Sequence, residues 1–277
     1  MKLISFLRPD GAASYGQLIE TRVHEASAAF RGQHPDLRAM LTAGAAMQSE
    51  DAFALEEVRL LSPLPNPDKI ICIGLNYTSH ILETGREKPS HPSIFTRYPS
   101  SIVGHGADLI RPKASTWFDF EGELAVIIGK AGRDIPAEAA WDHIAGYSCL
   151  NDGSIRDFQR HTTQFWSGKN FVASGAMGPW IVTADEVGDV TTKSLETRLN
   201  GQVMQSAPIS DLAFSIPDLI AYLSVVTELL PGDVIATGTP GGVGLFREPK
   251  LFMKAGDVIE VEISGIGRLE NQVRDQG

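Results

Sequence analysis

The chain has 277 residues, with 24 Lys+Arg against 34 Asp+Glu, and its formal charge of −10 excludes the basic footprint that nucleic-acid phosphates or an anionic membrane surface require. Hydrophobic residues at 43% and charged residues at 21% are the proportions of a folded globular protein. Roughly three-quarters of the unfolded surface of such a chain becomes buried, which is enough for one large core or two unequal ones.

The opening MKLISFLRPDG breaks its apolar run at Arg8, too early for a signal-peptide core, and no run approaches the ~18 residues that span a bilayer. The expectation is a cytoplasmic protein. Residues 1–62 predict a small leading α+β unit. KLISFL and GQLIETRV have strand texture, and the Ala-rich DLRAMLTAGAAM predicts a helix ahead of EEVRLLS. Prolines at 63, 65 and 67 disfavour helix and sheet pairing alike, so 63–68 reads as a linker. From residue 69 onward short β-rich runs dominate: KIICIGL, GELAVIIG, IAGYSCLN, PWIVTA, GDVIATG and GDVIEVEI. Strands outnumber helices without alternating with them, which excludes a doubly wound sheet and predicts an α+β fold built on a mixed β-roll over 69–277. Cys72 and Cys149 lie in two of these apolar runs with no C-x-x-C pattern, as buried structural thiols do.

Several segments carry possible chemistry. His80 and Glu83 stand three residues apart; on one helical turn they form an imidazole–carboxylate pair able to activate water, or an ordinary surface contact. In Asp119-Phe120-Glu121-Gly122-Glu123-Leu124, strand alternation sends Glu121 and Glu123 to one side, roughly 7 Å apart. Ahead of so apolar a run they repel each other unless a cation lies between them, and a hard divalent ion suits oxygen ligands; a solvated strand end is the other reading. Pro136 predicts a helix over about 136–143, with proline at its first position. If the runs on either side of it pair in one sheet, Asp152 of Asn151-Asp152-Gly153 comes near both glutamates, although Asn-Asp-Gly is equally a good turn.

Ser154 and Asp157 form a Ser-x-x-Asp capping pattern for a short helix. That helix places Arg156 and Gln159 on one face, suited to an anionic oxygenated substrate or to solvent. Lys169, flanked by aromatics, is either a buried electrophile or a snorkelling surface lysine. Asn200-Gly201 predicts a type I′ hairpin, and Ser215 with Pro217 predicts a capped helix in SIPDLIAYLSVVTEL. The glycine-rich loop over 236–244 lacks the Gly-Lys-Ser/Thr of a phosphate loop; its N–H groups suit a carboxylate or an oxyanion. Gly-Asp-Val-Ile occurs at 232–235 and again at 256–259, a turn-into-strand device used twice.

Taken in order, these phrases resemble the fumarylacetoacetate hydrolase family. The matching ones are Gly74-Leu75-Asn76-Tyr77 with His80, Pro92-Ser93-Ile94-Phe95, Asp119-Phe120-Glu121-Gly122-Glu123-Leu124 and Gly146-Tyr147. Then follow Asn151-Asp152 with Ser154, Arg156-Asp157 and Gln159, Gly168-Lys169, Gly178-Pro179, Asn200-Gly201, Leu230-Pro231-Gly232-Asp233-Val234-Ile235 and Thr237-Gly238-Thr239-Pro240. The resemblance spans about 69–273, and residues 1–62 correspond only to the variable leading domain such proteins often carry. It implies that Glu121, Glu123 and Asp152 hold Mg²⁺ or Mn²⁺, that His80 and Glu83 on a lid helix activate water, and that Lys169 assists the reacting carbonyl. It further implies that Arg156, Gln159 and Thr239 face substrate, and that a mixed β-roll assembles as a homodimer.

Departures from the pattern narrow the branch. Asn76 stands where the animal fumarylacetoacetate hydrolases carry a metal-binding Asp, which points to the smaller acylpyruvate hydrolase, decarboxylase and isomerase branch. Gly153 and Ile155 replace the more usual Val and Ala around the metal Asp, and Arg97 replaces a frequent Lys. The activity expected first is Mg²⁺-dependent hydrolysis of a carbon–carbon bond in a small 2,4-dioxo acid. The alternatives are decarboxylation of an oxaloacetate-like acid or isomerisation of an unsaturated 2-oxo acid at the same site, and, more remotely, a non-catalytic keto-acid-binding protein. The partner expected is a small anionic 2-oxo acid.

Overall fold

The computed structural model describes residues 1–85 and 87–277. Its centre is the strand Gly122–Ile128, in which every residue is buried. Alternate side chains go to opposite cores: Leu124, Val126 and Ile128 to one cluster, Ala125 and Ile127 to another. A strand covered on both faces carries no polar alternation, which is why the sequence reads as an unbroken LAVII.

That strand belongs to a 12-stranded sheet. On one side it pairs antiparallel with Ile144–Asn151, which in turn pairs with Gly175–Thr183. On the other side it pairs with Val234–Ala236, followed by Ile70–Gly74 in parallel and then Ser93–Arg97. A separate 5-stranded sheet, with Ser194–Leu199 and Val258–Ile263 at its middle, covers one face, and its Leu195, Val261 and Ile263 share a core cluster with Leu124 and Val126. The short helices Ala28–Gln33 and Leu37–Ala43 cover the other face through Phe30, Leu37 and Met40. This is the mixed, strand-dominated α+β architecture expected. Among the described residues no helix is long and apolar enough to cross a membrane.

The leading segment joins the large sheet directly. Lys2–Leu7 pairs antiparallel with Gly175–Thr183, Lys2 opposite Val182, and Leu3 and Tyr15 lie in the same cluster as Ile127 and Val234. The proline-rich 63–68 stretch is packed down, with Leu64 only 2% exposed and Ser5 Oγ donating to Pro63 O at 2.7 Å.

Local signals resolve mostly as read. Asn200 and Gly201 take φ of 53° and 76°, the two positive values a type I′ hairpin turn needs. Ser215 caps the helix Ile216–Val226 in a full capping box with Asp218. Two local readings are corrected. GQLIETRV is a hairpin, with Glu20 at φ 52° between Ala13–Ile19 and Arg22–Ala26. The 136–143 stretch is a 3₁₀ helix over Ala137–His143 that Pro136 precedes as the extended cap residue.

Candidate active site

The antiparallel pairing of Gly122–Ile128 with Ile144–Asn151 puts Gly122 opposite Asn151. The Asp152 N–H then donates to Glu121 O at 2.8 Å, so the acid just before one strand meets the acid just after the other. Glu121, Glu123 and Asp152 offer oxygens that all lie within 4.8 Å of one another, and all three are buried.

Basic side chains neutralise two of the three. The Lys169 ammonium is 2.6 Å from both Glu121 Oε2 and Asp152 Oδ2, and it also donates to Asp152 O at 3.2 Å. Arg156 reaches Glu121 Oε1 at 2.6 Å and Asp119 Oδ2 at 2.7 Å. Arg97 reaches Asp152 Oδ1 at 2.6 Å. Burial would raise the Glu121 carboxyl, but Lys169 and Arg156 override it and hold its pKa down to about 2. Glu123 lies close to the same charges without a basic partner of its own; the Gly238 N–H donates to its Oε2 at 2.8 Å. Burial and then repulsion from Asp152 and Glu121 push its carboxyl well above the usual carboxylate range. A buried carboxylate in that position calls for a proton or a cation. Three convergent hard oxygen donors fit a divalent ion.

His80 and Glu83 lie on the helix Thr78–Glu83, with Nδ1 of His80 2.9 Å from Glu83 Oε2. The other Glu83 oxygen accepts the Gly242 N–H at 2.9 Å, and the Phe246 ring stands edge-on to the imidazole at 5.9 Å. The pair is thus held from two sides, and His80 is buried. A cavity of about 230 Å³ brings His80 together with Glu121, Glu123, Arg156, Lys169 and Thr239; Phe95, Phe165 and Phe246 are among its walls. Its size suits a small acid, below the volume usual for drug-sized ligands.

The residues singled out in the sequence therefore meet in one place, with some changes of part. Lys169 is 1% exposed, so the surface reading falls, and its three donors are all taken by Glu121 and Asp152. Arg156 lines the cavity but spends Nε and Nη1 on acids, while its Nη2 has no partner among the described residues. Arg156 Nη1 also donates to Gln159 Oε1 at 3.0 Å. Thr239 Oγ1 donates to Gly122 O at 2.9 Å and accepts from Gln205 Nε2 at 2.7 Å. Asn76 is not a ligand: its amide spans Thr237 O, Phe214 O and the Phe214 N–H.

The Ser154-x-x-Asp157 cap does not form. Ser154-Ile155 pairs as a strand with Phe118–Asp119, so the Ser154 hydroxyl donates backwards to Asp152 O, and the helix Arg156–Gln159 follows Ile155 uncapped. Asp157 instead accepts the Ser115 hydroxyl at 2.7 Å. Sequence reading missed two contributors, Asp119 and Gln205, both buried. Asp119 sits in the same phrase as the paired glutamates, a usable signal, whereas nothing near Gln205 in the sequence marks it.

The family model for the fumarylacetoacetate (FAA) hydrolase C-terminal region matches residues 69–274. The chain is 44% identical over 226 residues to the oxaloacetate tautomerase YisK of Bacillus subtilis, covering 80% of this chain and 75% of that protein. It is 41% identical over 238 residues to the mitochondrial oxaloacetate tautomerase fahd2 of Xenopus laevis, covering 85% and 75%. A solved structure named fumarylacetoacetate hydrolase, from Exiguobacterium antarcticum, superposes with a TM-score of 0.87 at 37% identity over the whole of both chains. With its acids, its His–Glu pair and its sheet order in place over the matched region, the chain belongs to the fumarylacetoacetate hydrolase family.

Proposed function

We propose that the chain is an isomerase that interconverts the enol and keto forms of a small, oxaloacetate-like 2-oxo acid. The observation that carries this is one cavity lined by His80, whose ring is held by Glu83, and by Glu121 and Glu123 of the donor set that the buried Asp152 completes. The relatives named as tautomerases favour it over the carbon–carbon hydrolysis that the sequence suggested first. Hydrolysis of a 2,4-dioxo acid is the second reading, supported by the hydrolase name of the solved relative.

Glu121, Glu123 and Asp152 would hold Mg²⁺ or Mn²⁺, which when bound supplies Lewis-acid charge beside the oxygens of the 2-oxo acid. The protein's own residues do the rest. The hydrogen bond to Glu83 keeps the His80 proton on Nδ1 and leaves the Nε2 lone pair as the base. Keto to enol, Nε2 takes a proton from the carbon between the two carbonyl groups and the imidazolium then gives that proton to the ketone oxygen; enol to keto, Nε2 takes the enol hydroxyl proton and returns it to the carbon. Glu83 stabilises the imidazolium that forms in between and is itself kept in place by the Gly242 N–H. Lys169, Arg97 and Arg156 pair with Glu121 and Asp152 and hold these two members of the donor set in place.

The test is the decay of enol-oxaloacetate absorbance with Mg²⁺ present, for wild type, His80→Ala and Glu123→Gln. His80→Ala should lose about 10²- to 10⁴-fold in rate while binding Mg²⁺ as wild type does. Glu123→Gln should lose Mg²⁺ binding and activity together. A His80→Ala protein that tautomerises at the wild-type rate sinks the assignment, and release of pyruvate from an acylpyruvate without tautomerisation favours hydrolysis.

A further inference from the structure

The cavity is lined by three cationic side chains, and they are not alike. Lys169 and Arg156 are buried and committed to Glu121, Asp152 and Asp119. Arg160 is exposed at the mouth, and its guanidinium has no ion pair or hydrogen bond among the described residues. The carboxylate of the helix that Arg160 follows, Asp157, accepts the Ser115 hydroxyl and the Phe158 N–H at Oδ1 and makes no ion pair with Arg160. The position of Arg160 is not left to chance either. A Cβ at Gly168 would meet Gln159 Cα at 2.6 Å, so the helix Arg156–Gln159 lies directly on the backbone of the helix Trp166–Lys169. Arg160, next in sequence to Gln159, is therefore set at a fixed offset from Lys169 and from the acids that Lys169 binds.

We propose that Arg160 receives the distal carboxylate of a dicarboxylic 2-oxo acid and so selects dianionic over monoanionic substrates. The substrate class rests on the tautomerase reading above. The 2-oxo acid end enters toward Glu121, Glu123 and Asp152, where Lys169 and Arg97 are fully paired and Arg156 keeps one buried donor, Nη2, for that end. A second carboxylate on the substrate would lie unpaired against the phenylalanine walls, a costly position for a charge. Arg160 offers it a planar, two-pronged partner at the point where the cavity opens to water.

Arg160→Gln and Arg160→Lys, both changes at an exposed side chain, are compared with wild type on oxaloacetate and on its 4-methyl ester, which keeps the enol chemistry and loses the distal charge. The proposal expects Arg160→Gln to raise KM for oxaloacetate about tenfold, with kcat nearly unchanged. KM for the ester should not move, and Arg160→Lys should recover part of the loss. An equal change for both compounds, or no change for oxaloacetate, overturns the proposal. If wild type turns over neither compound, the tautomerase reading fails by itself. The Arg160 assignment is then decided by calorimetric titration of the Mg²⁺-loaded protein with 2-oxoglutarate and 2-oxopentanoate: a preference for the dianion that Arg160→Gln abolishes upholds it, and its absence in wild type refutes it.

Discussion

Lys169 illustrates how much of a residue's part depends on burial. In the sequence it was equally an electrophile or a surface lysine, because aromatic neighbours accompany both. In the fold its ammonium lies 2.6 Å from two buried carboxylates and 5.1 Å from the centre of the Phe95 ring, a place no local pattern reveals. Replacing it by Met leaves Glu121 Oε2 and Asp152 Oδ2 buried without that counter-charge. Losing one partner of a buried ion pair costs about 3–5 kcal/mol, so the metal-free Lys169→Met protein should melt well below wild type. Acid makes the sharper test. Lys169 and Arg156 lower the Glu121 pKa from 4.5 to about 2, so its ionised form adds stability that is complete above 4.5 and disappears as pH falls through about 2. Without the ammonium that loss begins at higher pH. Urea melts of the chelator-treated proteins over a descending pH series should show Lys169→Met losing its residual stability earlier; parallel profiles would mean that Lys169 does not govern Glu121. By contrast Glu121, Glu123 and Asp152 were legible as a set, because strand alternation and one assumed pairing suffice to bring them together.

The element that gathers the site is the glycine-rich loop after Val234–Ala236. Its N–H groups do bind carboxylates, as its composition suggested, and the carboxylates are the protein's own. Gly238 N–H goes to Glu123, Gly242 N–H to Glu83, and Gly244 and Leu245 N–H to Asp119. One loop thus ties the donor set, the proton-transfer pair and the Arg156 anchor together. Gly244 is required by close approach: a Cβ there would meet Leu251 O at 1.7 Å and Asp119 Oδ1 at 2.6 Å. Gly244→Ala should therefore displace backbone, cost upwards of about 1–3 kcal/mol as overpacking does, and lower activity along with Tm. Gly256→Ala is the control. It has φ of 91° but nothing within 4 Å, so it should cost only the ~1–2 kcal/mol of a strained backbone and leave kcat intact. Equal effects of the two on kcat would mean that the loop does not position the site. The twice-used Gly-Asp-Val-Ile phrase was legible for the same kind of reason. In each copy the Asp carboxylate accepts the N–H three residues back, Leu230 for Asp233 and Lys254 for Asp257, closing a turn around a positive-φ glycine. The failed Ser154 cap shows the limit of such signals, since strand pairing with Phe118–Asp119 claimed the residue first.

At the scale of the molecule, the division at 63–68 is where composition and packing diverge. Proline density marks a change of texture, and the matched family region does begin at residue 69. Yet pairing of Lys2–Leu7 with Gly175–Thr183 is a contact nearly 180 residues apart in sequence, which no local pattern encodes. The face of the large sheet that carries Ala125, Ile127, Ile181 and Val234 is extended by Leu3 and Tyr15 of the leading strands and covered by Phe30, Leu37 and Met40 of the leading helices. Each such side chain contributes about 1.5–3 kcal/mol by burial. Five of them together rival the ~5–15 kcal/mol by which a domain is normally stable. The leading 62 residues, which lie outside the matched family region, should accordingly be needed for folding. A chain beginning at residue 63 should express as an aggregate or melt without a cooperative transition, and should bind a dye for exposed apolar surface, whereas the full chain does not. If the shortened chain instead melts cooperatively and retains Mg²⁺-dependent turnover, the roll closes its own core, and the leading segment is a cover over a finished domain. The site gives a reason to expect the first outcome. Strand Ile144–Asn151, which delivers Asp152, is flanked by Gly122–Ile128 on one side and by Gly175–Thr183 on the other, and Gly175–Thr183 loses the Lys2–Leu7 neighbour on truncation.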